Sequence, residues 1–268
     1  MRRIIFLILI LIFSIATVSQ TGDRRGGQTA FEIKQSIYFS DGTLDEFLTS
    51  RWDSNFNNLE AQERFAASGA KLEWIEYQYN RLGNPTTKIT RDVEERLRGR
   101  IVYSYNQQEL LFRENVMDTR GRIASIVEFD YDNRGNQSKR IIRNREGNIL
   151  AETTFTFNSQ GQLTESQTRD SAGGRAISST RYFYDSAGNL IRQTVFDAYG
   201  VKTSEITSVW QGGNEITNEM KGADGTVLMR ITNEFGTNGE LLTRKIDNFQ
   251  GESSQVIRYE YTLRPVRR

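Results

Sequence analysis

An aromatic residue followed by a turn sequence recurs nine times. Trp52, Tyr79, Tyr105, Tyr131, Phe157, Tyr184, Trp210, Phe235 and Tyr261 stand 25 to 27 residues apart. A second turn, ending in glycine, keeps the same beat at Gly42, Gly69, Gly121, Gly147, Gly173, Gly200, Gly225 and Gly251, with Glu95 in the one gap. A fixed period of this length marks a repeat architecture. Two turns per period leave runs of about eight to ten residues, which is strand length.

The runs carry the strand period as well. Ile75/Tyr77/Tyr79, Ile101/Tyr103/Tyr105, Val127/Phe129/Tyr131 and Ile257/Tyr259/Tyr261 are residues two apart, which share one face of a strand. Charged and polar residues such as Glu76, Gln78, Glu128, Asp130, Arg258 and Glu260 alternate with them. In Asn80–Gly83, Asp132–Gly135, Asn158–Gly161 and Asp185–Gly188 the Asp or Asn bonds its own backbone and the glycine takes φ > 0 without strain. Only two prolines, Pro85 and Pro265, interrupt a chain built of hydrogen-bonded ladders. Residues 43–68 also fit a helical stripe through Leu44, Phe47, Leu48 and Trp52, but the repeat phase places both turns without an insertion and favours strands.

Tyr131-Asp132-Asn133-Arg134-Gly135-Asn136 and Tyr184-Asp185-Ser186-Ala187-Gly188-Asn189-Leu190 resemble the YD motif of RHS/YD-repeat proteins, and Tyr79-Asn80-Arg81-Leu82-Gly83-Asn84 is a close variant. A weaker likeness is to paired-turn repeats of the MORN kind. The period here is longer than the usual YD repeat. The resemblance implies stacked β-hairpins in a curved or spiralling sheet, and it brings no catalytic residues.

Arg2 and Arg3 precede an apolar run from Ile4 to Ile15 and a small-residue exit, the plan of a secretory signal peptide. The expected organisation is a signal peptide at 1–19, a flexible leader at 20–32, one repeat domain at 33–262 and a basic tail at 263–268. Loss of Arg2 and Arg3 from the 35 basic residues leaves one fewer than the 34 acidic ones, so no net field draws in nucleic acid or a membrane, and membrane contact is expected only through the signal segment unless the chain is a barrel. Hydrophobic residues make up 37 %, below the roughly 45–50 % of ordinary globular domains, which suits a thin, wet sheet rather than a large core.

The chain has no histidine and no cysteine. That excludes Ser-His-Asp and Cys-His catalysis, zinc or copper sites of ordinary ligation, and disulfides. Ser68-Gly69-Ala70-Lys71 spells S-x-x-K but straddles a repeat turn. Asp130-Tyr131-Asp132-Asn133-Arg134-Gly135 opens like a calcium loop, yet Arg134 stands where an oxygen ligand belongs and Ile141 where the closing glutamate would be. No catalytic, cofactor or metal site is expected, and the reading is non-enzymatic. The aromatic column reads as the buried stripe of the sheet, or as candidate interaction aromatics (Tyr79, Tyr105, Tyr131, Tyr184, Trp210, Tyr261) facing a protein or cell-envelope glycan. Arg140, Arg143 and Arg145 form a basic cluster on a strand face or toward an anionic glycan.

The fold class is all-β, an antiparallel meander of about 18 short strands from nine hairpins. An open and twisted or spiralling sheet leads, with two free edges for strand addition; a sheet folded over its aromatic face and an outer-membrane barrel are the alternatives. The function expected is an exported structural or protein-interaction element of the periplasm or cell surface, with a glycan-binding module as the alternative and the barrel after it.

Overall fold

The computed structural model describes residues 29–53, 57–171 and 174–265. The expected signal peptide, most of the leader and the end of the tail lie outside them. Eighteen strands follow one another: β1 (Thr29–Phe39), β2 (Leu44–Trp52), β3 (Leu59–Ala66), β4 (Lys71–Tyr79), β5 (Pro85–Asp92), β6 (Leu97–Tyr105), β7 (Leu111–Met117), β8 (Ile123–Tyr131), β9 (Gln137–Asn144), β10 (Ile149–Phe157), β11 (Leu163–Asp170), β12 (Ala176–Tyr184), β13 (Leu190–Asp197), β14 (Lys202–Gln211), β15 (Asn214–Gly222), β16 (Val227–Phe235), β17 (Leu241–Asn248) and β18 (Ser253–Pro265). Residues 43–68 are strands, with stacked Phe47 and Phe65 (4.8 Å between ring centroids) across β2 and β3.

The open sheet expected from the sequence is corrected by one pairing. β1 runs antiparallel to β18 over eleven residue pairs, from Thr29↔Pro265 to Phe39↔Gln255, so the meander closes into a barrel. Closure satisfies the backbone groups that two free edges would leave bare. It also removes the edges on which strand addition to a partner would rest.

The register dictates how the ring closes. Tyr103, two residues before Tyr105, pairs with Glu114, which pairs with Val127, four residues before Tyr131. The path across the strands thus slips by two residues per repeat, and the same slip recurs from Tyr77 through Lys88 to Ile101 and from Tyr259 through Gln35 to Leu48. Nine such slips give a shear equal to the number of strands. With strand rise and spacing of about 3.3 and 4.8 Å, that shear sets a tilt of about 35° and a backbone radius of about 17 Å.

Turn chemistry keeps the slip constant. At Asp185–Asn189 the Gly188 N–H donates to Asp185 O (3.1 Å) and the Asp185 N–H to Asn189 O (2.9 Å), with Gly188 at φ 88°. The Asp185 carboxylate accepts from the Ala187 and Asn189 amides at 2.9 and 2.8 Å. The ladder then slips at Phe183/Tyr184, leaving Ile191 as an extra residue. Equivalent bulges follow every hairpin turn except that between β17 and β18. Each adds local twist, which a closing sheet requires.

The barrel has no packed core. Strands in contact are ring neighbours only, and among the described apolar side chains just Phe31, Ile37, Ile89, Ile126 and Val127 are buried. Side chains on the concave face converge and shield one another, whereas those on the convex face diverge. Val127 and Ile37, on the face of the aromatic column, are each 6 % exposed; Val209 and Leu150, on the other, are 54 % and 52 %. The aromatic column therefore lines the lumen and the charged alternation faces outward.

Candidate functional site

The lumen wall is layered. Nearest the rim carrying the chain ends is the tier of Trp52, Tyr79, Tyr105, Tyr131, Phe157, Tyr184, Trp210, Phe235 and Tyr261. Each of the six candidate interaction aromatics donates its polar hydrogen to a carbonyl at the start of the preceding strand. The bonds are Tyr79 to Leu59 (2.6 Å), Tyr105 to Pro85 (2.8 Å), Tyr131 to Leu111 (2.7 Å), Tyr184 to Leu163 (3.0 Å), Trp210 Nε1 to Leu190 (2.9 Å) and Tyr261 to Leu241 (2.8 Å). Phe235 has no donor, and there Asn233 Nδ2 reaches the equivalent carbonyl of Glu215 at 2.8 Å. The polar ends of these residues are tied to backbone, and only their ring faces are left to the lumen.

Two residues deeper lies a tier that sequence reasoning did not single out as a site: Ser50, Tyr77, Tyr103, Phe129, Phe155, Tyr182, Ser208, Asn233 and Tyr259. Tyr77 bonds Gln62 (3.4 Å) and Tyr182 meets Ser166 (3.2 Å). Burial lifts the phenols of Tyr77, Tyr103 and Tyr259 above the ordinary tyrosine range, and those of Tyr79 and Tyr261 to about 12.

Beneath it is a polar tier, one residue per repeat: Gln35, Gln62, Lys88, Glu114, Arg140, Ser166, Gln193, Asn218 and Arg244. Each pairs with the tier above on one side and with an aliphatic or threonine position on the other, as in Tyr77↔Lys88↔Ile101 and Phe129↔Arg140↔Thr153. Charge is concentrated on β5 to β9. Lys88 Nζ lies 5.8 Å from the centre of the Tyr77 ring. Burial raises the Glu114 carboxyl, while the fields of Arg140 and Lys88 pull it back. The signal for this tier was present in the sequence, since these residues recur eight to ten positions after the aromatics.

The deeper belt is aliphatic on the same side and again across β14 to β1, where Ile206 faces Met220, Ile231 faces Ile246 and Ile257 faces Ile37. Ile101 faces Val116 and Val127 faces Ile142, whereas Thr153 and Thr168 face each other on β10 and β11, their hydroxyls 3.0 Å apart. The opposite mouth is polar, with Asp92, Asn144, Asp170 and Asp197 near it.

Outside, ion pairs lace the wall: Arg143–Glu128 (2.7 Å), Arg230–Glu219 (2.7 Å), Arg51–Glu60 (3.3 Å), Lys34–Glu260 (3.5 Å) and Lys139–Glu152 (3.6 Å). Ile89 and Ile126 are buried between polar and charged residues, Glu76 and Arg100 flanking one and Asn115 and Arg143 the other, whose stems cover apolar surface. The cluster of Arg140, Arg143 and Arg145 is divided. Arg140 enters the lumen, Arg143 grips Glu128 outside, and Arg145 pairs with Glu146 in a turn.

The other sequence motifs resolve into turns. Asp132, within the calcium-like stretch, accepts from the amides of Arg134 and Asn136 and from Asn136 Nδ2. Ser68 accepts from the Ala70 amide, and Lys71 pairs with Glu63. Among the described residues no group of three or more acidic side chains is placed to hold a metal.

No protein-family model and no curated protein matches the chain. Among solved structures it is similar to a porin-like protein from Bacteroides uniformis, at 13 % identity over 87 % of this chain and 97 % of that one, with a TM-score of 0.43. It is similar to a putative outer membrane lipoprotein-sorting protein domain from Vibrio parahaemolyticus at 10 % identity, over 90 % and 87 % of the two chains, TM-score 0.24. A third likeness, at 12 % identity and TM-score 0.24, is to the TcdB2-TccC3-TEV structure, of which 14 % is covered against 83 % of this chain. At these TM-scores the likenesses carry no weight in the argument, and the barrel stands on its own strand pairings.

Proposed function

We propose that the chain is an exported, non-enzymatic barrel of the bacterial cell envelope that remains in water and acts as a container, with the lumen wall as its binding surface. The observation that carries this reading is the inversion of the two faces. Half-buried aromatic and aliphatic side chains line the inside, and charged residues cover the outside. Apolar wall facing a wet cavity costs about 25 cal/mol per Å², a driving force for an apolar guest.

The outer-membrane alternative shares the closed eighteen-stranded barrel and differs in the outer face. A membrane-spanning barrel needs an apolar band outside and a polar lumen, and each Arg or Lys facing lipid at mid-bilayer costs about 2–4 kcal/mol. Lys34, Arg143, Arg181 and Arg230 would all carry that penalty.

Fractionation decides between the two. The chain from residue 20 onward, exported with a C-terminal tag, is expected in the detergent-free soluble fraction, and it is expected to brighten an apolar fluorophore such as N-phenylnaphthylamine. Recovery only in detergent would establish the membrane reading instead. Soluble protein with no fluorophore uptake would leave the lumen without a container role.

A further inference from the structure

Lys88, Glu114 and Arg140 occupy the same tier in three successive repeats, on β5, β7 and β9. Among the described residues, neither Lys88 nor Arg140 forms an ion pair. Arg140 is also exposed. Directly below, Ile101 and Val116, then Val127 and Ile142, make a continuous aliphatic patch four strands wide, about 14 Å across. Above stand the rings of Tyr77, Tyr103 and Phe129. At β10 to β12 the corresponding positions are Ser166, Thr153, Thr168 and Thr180. The aliphatic pairs return across β16 to β1 as Ile231/Ile246 and Ile257/Ile37, but there a single cation, Arg244, stands above them, and it donates to Asn233 Oδ1 at 2.9 Å.

Building on the container reading, we infer that this sector of the lumen binds an acyl-chain amphiphile with one anionic headgroup, the chain lying on the Ile101/Val116/Val127/Ile142 patch and the head held by Lys88 and Arg140. Two cations without an ion pair, beside an aliphatic patch, complement such a molecule in both charge and polarity. A charge-assisted bond to a carboxylate or phosphate is about twice as strong as a neutral one. Glu114 lies between the two cations and opposes the head, so it weakens binding and favours heads whose charge is spread over several oxygens.

Carboxylate and phosphate heads share this chemistry and are separated by the probes. Fluorescence titration of the chain from residue 20 onward would use cis-parinaric acid and its methyl ester, with lysophosphatidic acid as a competitor. The acid is expected to bind at least ten-fold tighter than the ester. Arg140→Gln and the double variant Lys88→Met/Arg140→Gln should remove that preference while leaving the ester unchanged, and Glu114→Gln should strengthen the acid alone. Displacement of the acid by lysophosphatidic acid at lower concentration would assign a phosphate head; displacement only at higher concentration would assign a carboxylate.

Equal binding of acid and ester by the wild-type protein would overturn the inference while sparing the container reading, and it needs no variant to fold. Binding of neither probe would overturn both. A variant that keeps the acid preference, with an unchanged melting temperature, would remove Lys88 and Arg140 as the head site.

Discussion

The phenol of Tyr131 on β8 donates to the Leu111 carbonyl on β7 at 2.7 Å, across the mouth of a hairpin that turns away from it. The bond ties each repeat to the one before, and it recurs with a tyrosine, a tryptophan or, at Asn233, an amide. Phe157 holds the equivalent position on β10 with no donor to give.

Tyr131→Phe is therefore expected to lower stability by about 1 kcal/mol, the usual net worth of such a bond. Phe157→Tyr supplies the missing donor toward Gln137 and is expected to raise stability by a similar or smaller amount. Urea midpoints of the two variants check the pair. A neutral Tyr131→Phe would mean that the latch contributes only its ring.

Glu95 holds φ 61° where most of the equivalent turns have glycine. The left-handed conformation costs a side-chain-bearing residue about 1–2 kcal/mol, of which glycine's greater unfolded-state entropy cancels part. Glu95→Gly is expected to stabilise the barrel by about 0.5–1 kcal/mol. A lower thermal midpoint in this variant would contradict the turn assignment.

Acid should loosen the turns that use aspartate. Side-chain bonds from Asn136 and Asn189, together with backbone amides, hold the Asp132 and Asp185 carboxyls below the usual range. A carboxyl lowered by folding contributes fully above its unfolded value and loses that contribution as pH falls through the folded value. Asn80, Asn106 and Asn158 accept the same amide bonds without titrating. The double variant Asp132→Asn/Asp185→Asn is expected to lose less stability than the wild type between pH 7 and pH 3, followed by denaturation midpoints. Equal losses would show that these carboxylates are not the acid-sensitive groups.

The strands and turns were legible in the sequence because their causes are local. Asp185 and Gly188 each specify a backbone conformation, and Tyr77 and Tyr79 reveal a shared face. Closure was not legible. It depends on β1 meeting β18 at opposite ends of the chain, and on a two-residue slip set by bulge residues as unlike as Ser138, Leu150 and Thr164, which carry no common mark. The charges of Arg258 and Glu260 say nothing about whether the sheet closes; Glu260 in fact pairs with Lys34 across the seam. For the site, the aromatic column led only to the latched tier. Asn233, which breaks that column, makes the same bond as the tyrosines. Lys88, Glu114 and Arg140 were readable by their spacing but looked like ordinary strand polarity until the barrel turned them inward.

The most direct test of the barrel is its seam. Lys34 and Glu260 face each other across β1 and β18, and the chain contains no cysteine of its own. Directly opposed antiparallel residues have Cα atoms about 4.5–5.5 Å apart, within reach of a disulfide. Lys34→Cys/Glu260→Cys, oxidised at low protein concentration and run on a non-reducing gel, is expected to form an intramolecular bond in the folded protein nearly quantitatively. Free thiols in a folded monomer, or cross-links between molecules only, would mean that β1 and β18 do not meet and that the sheet is open.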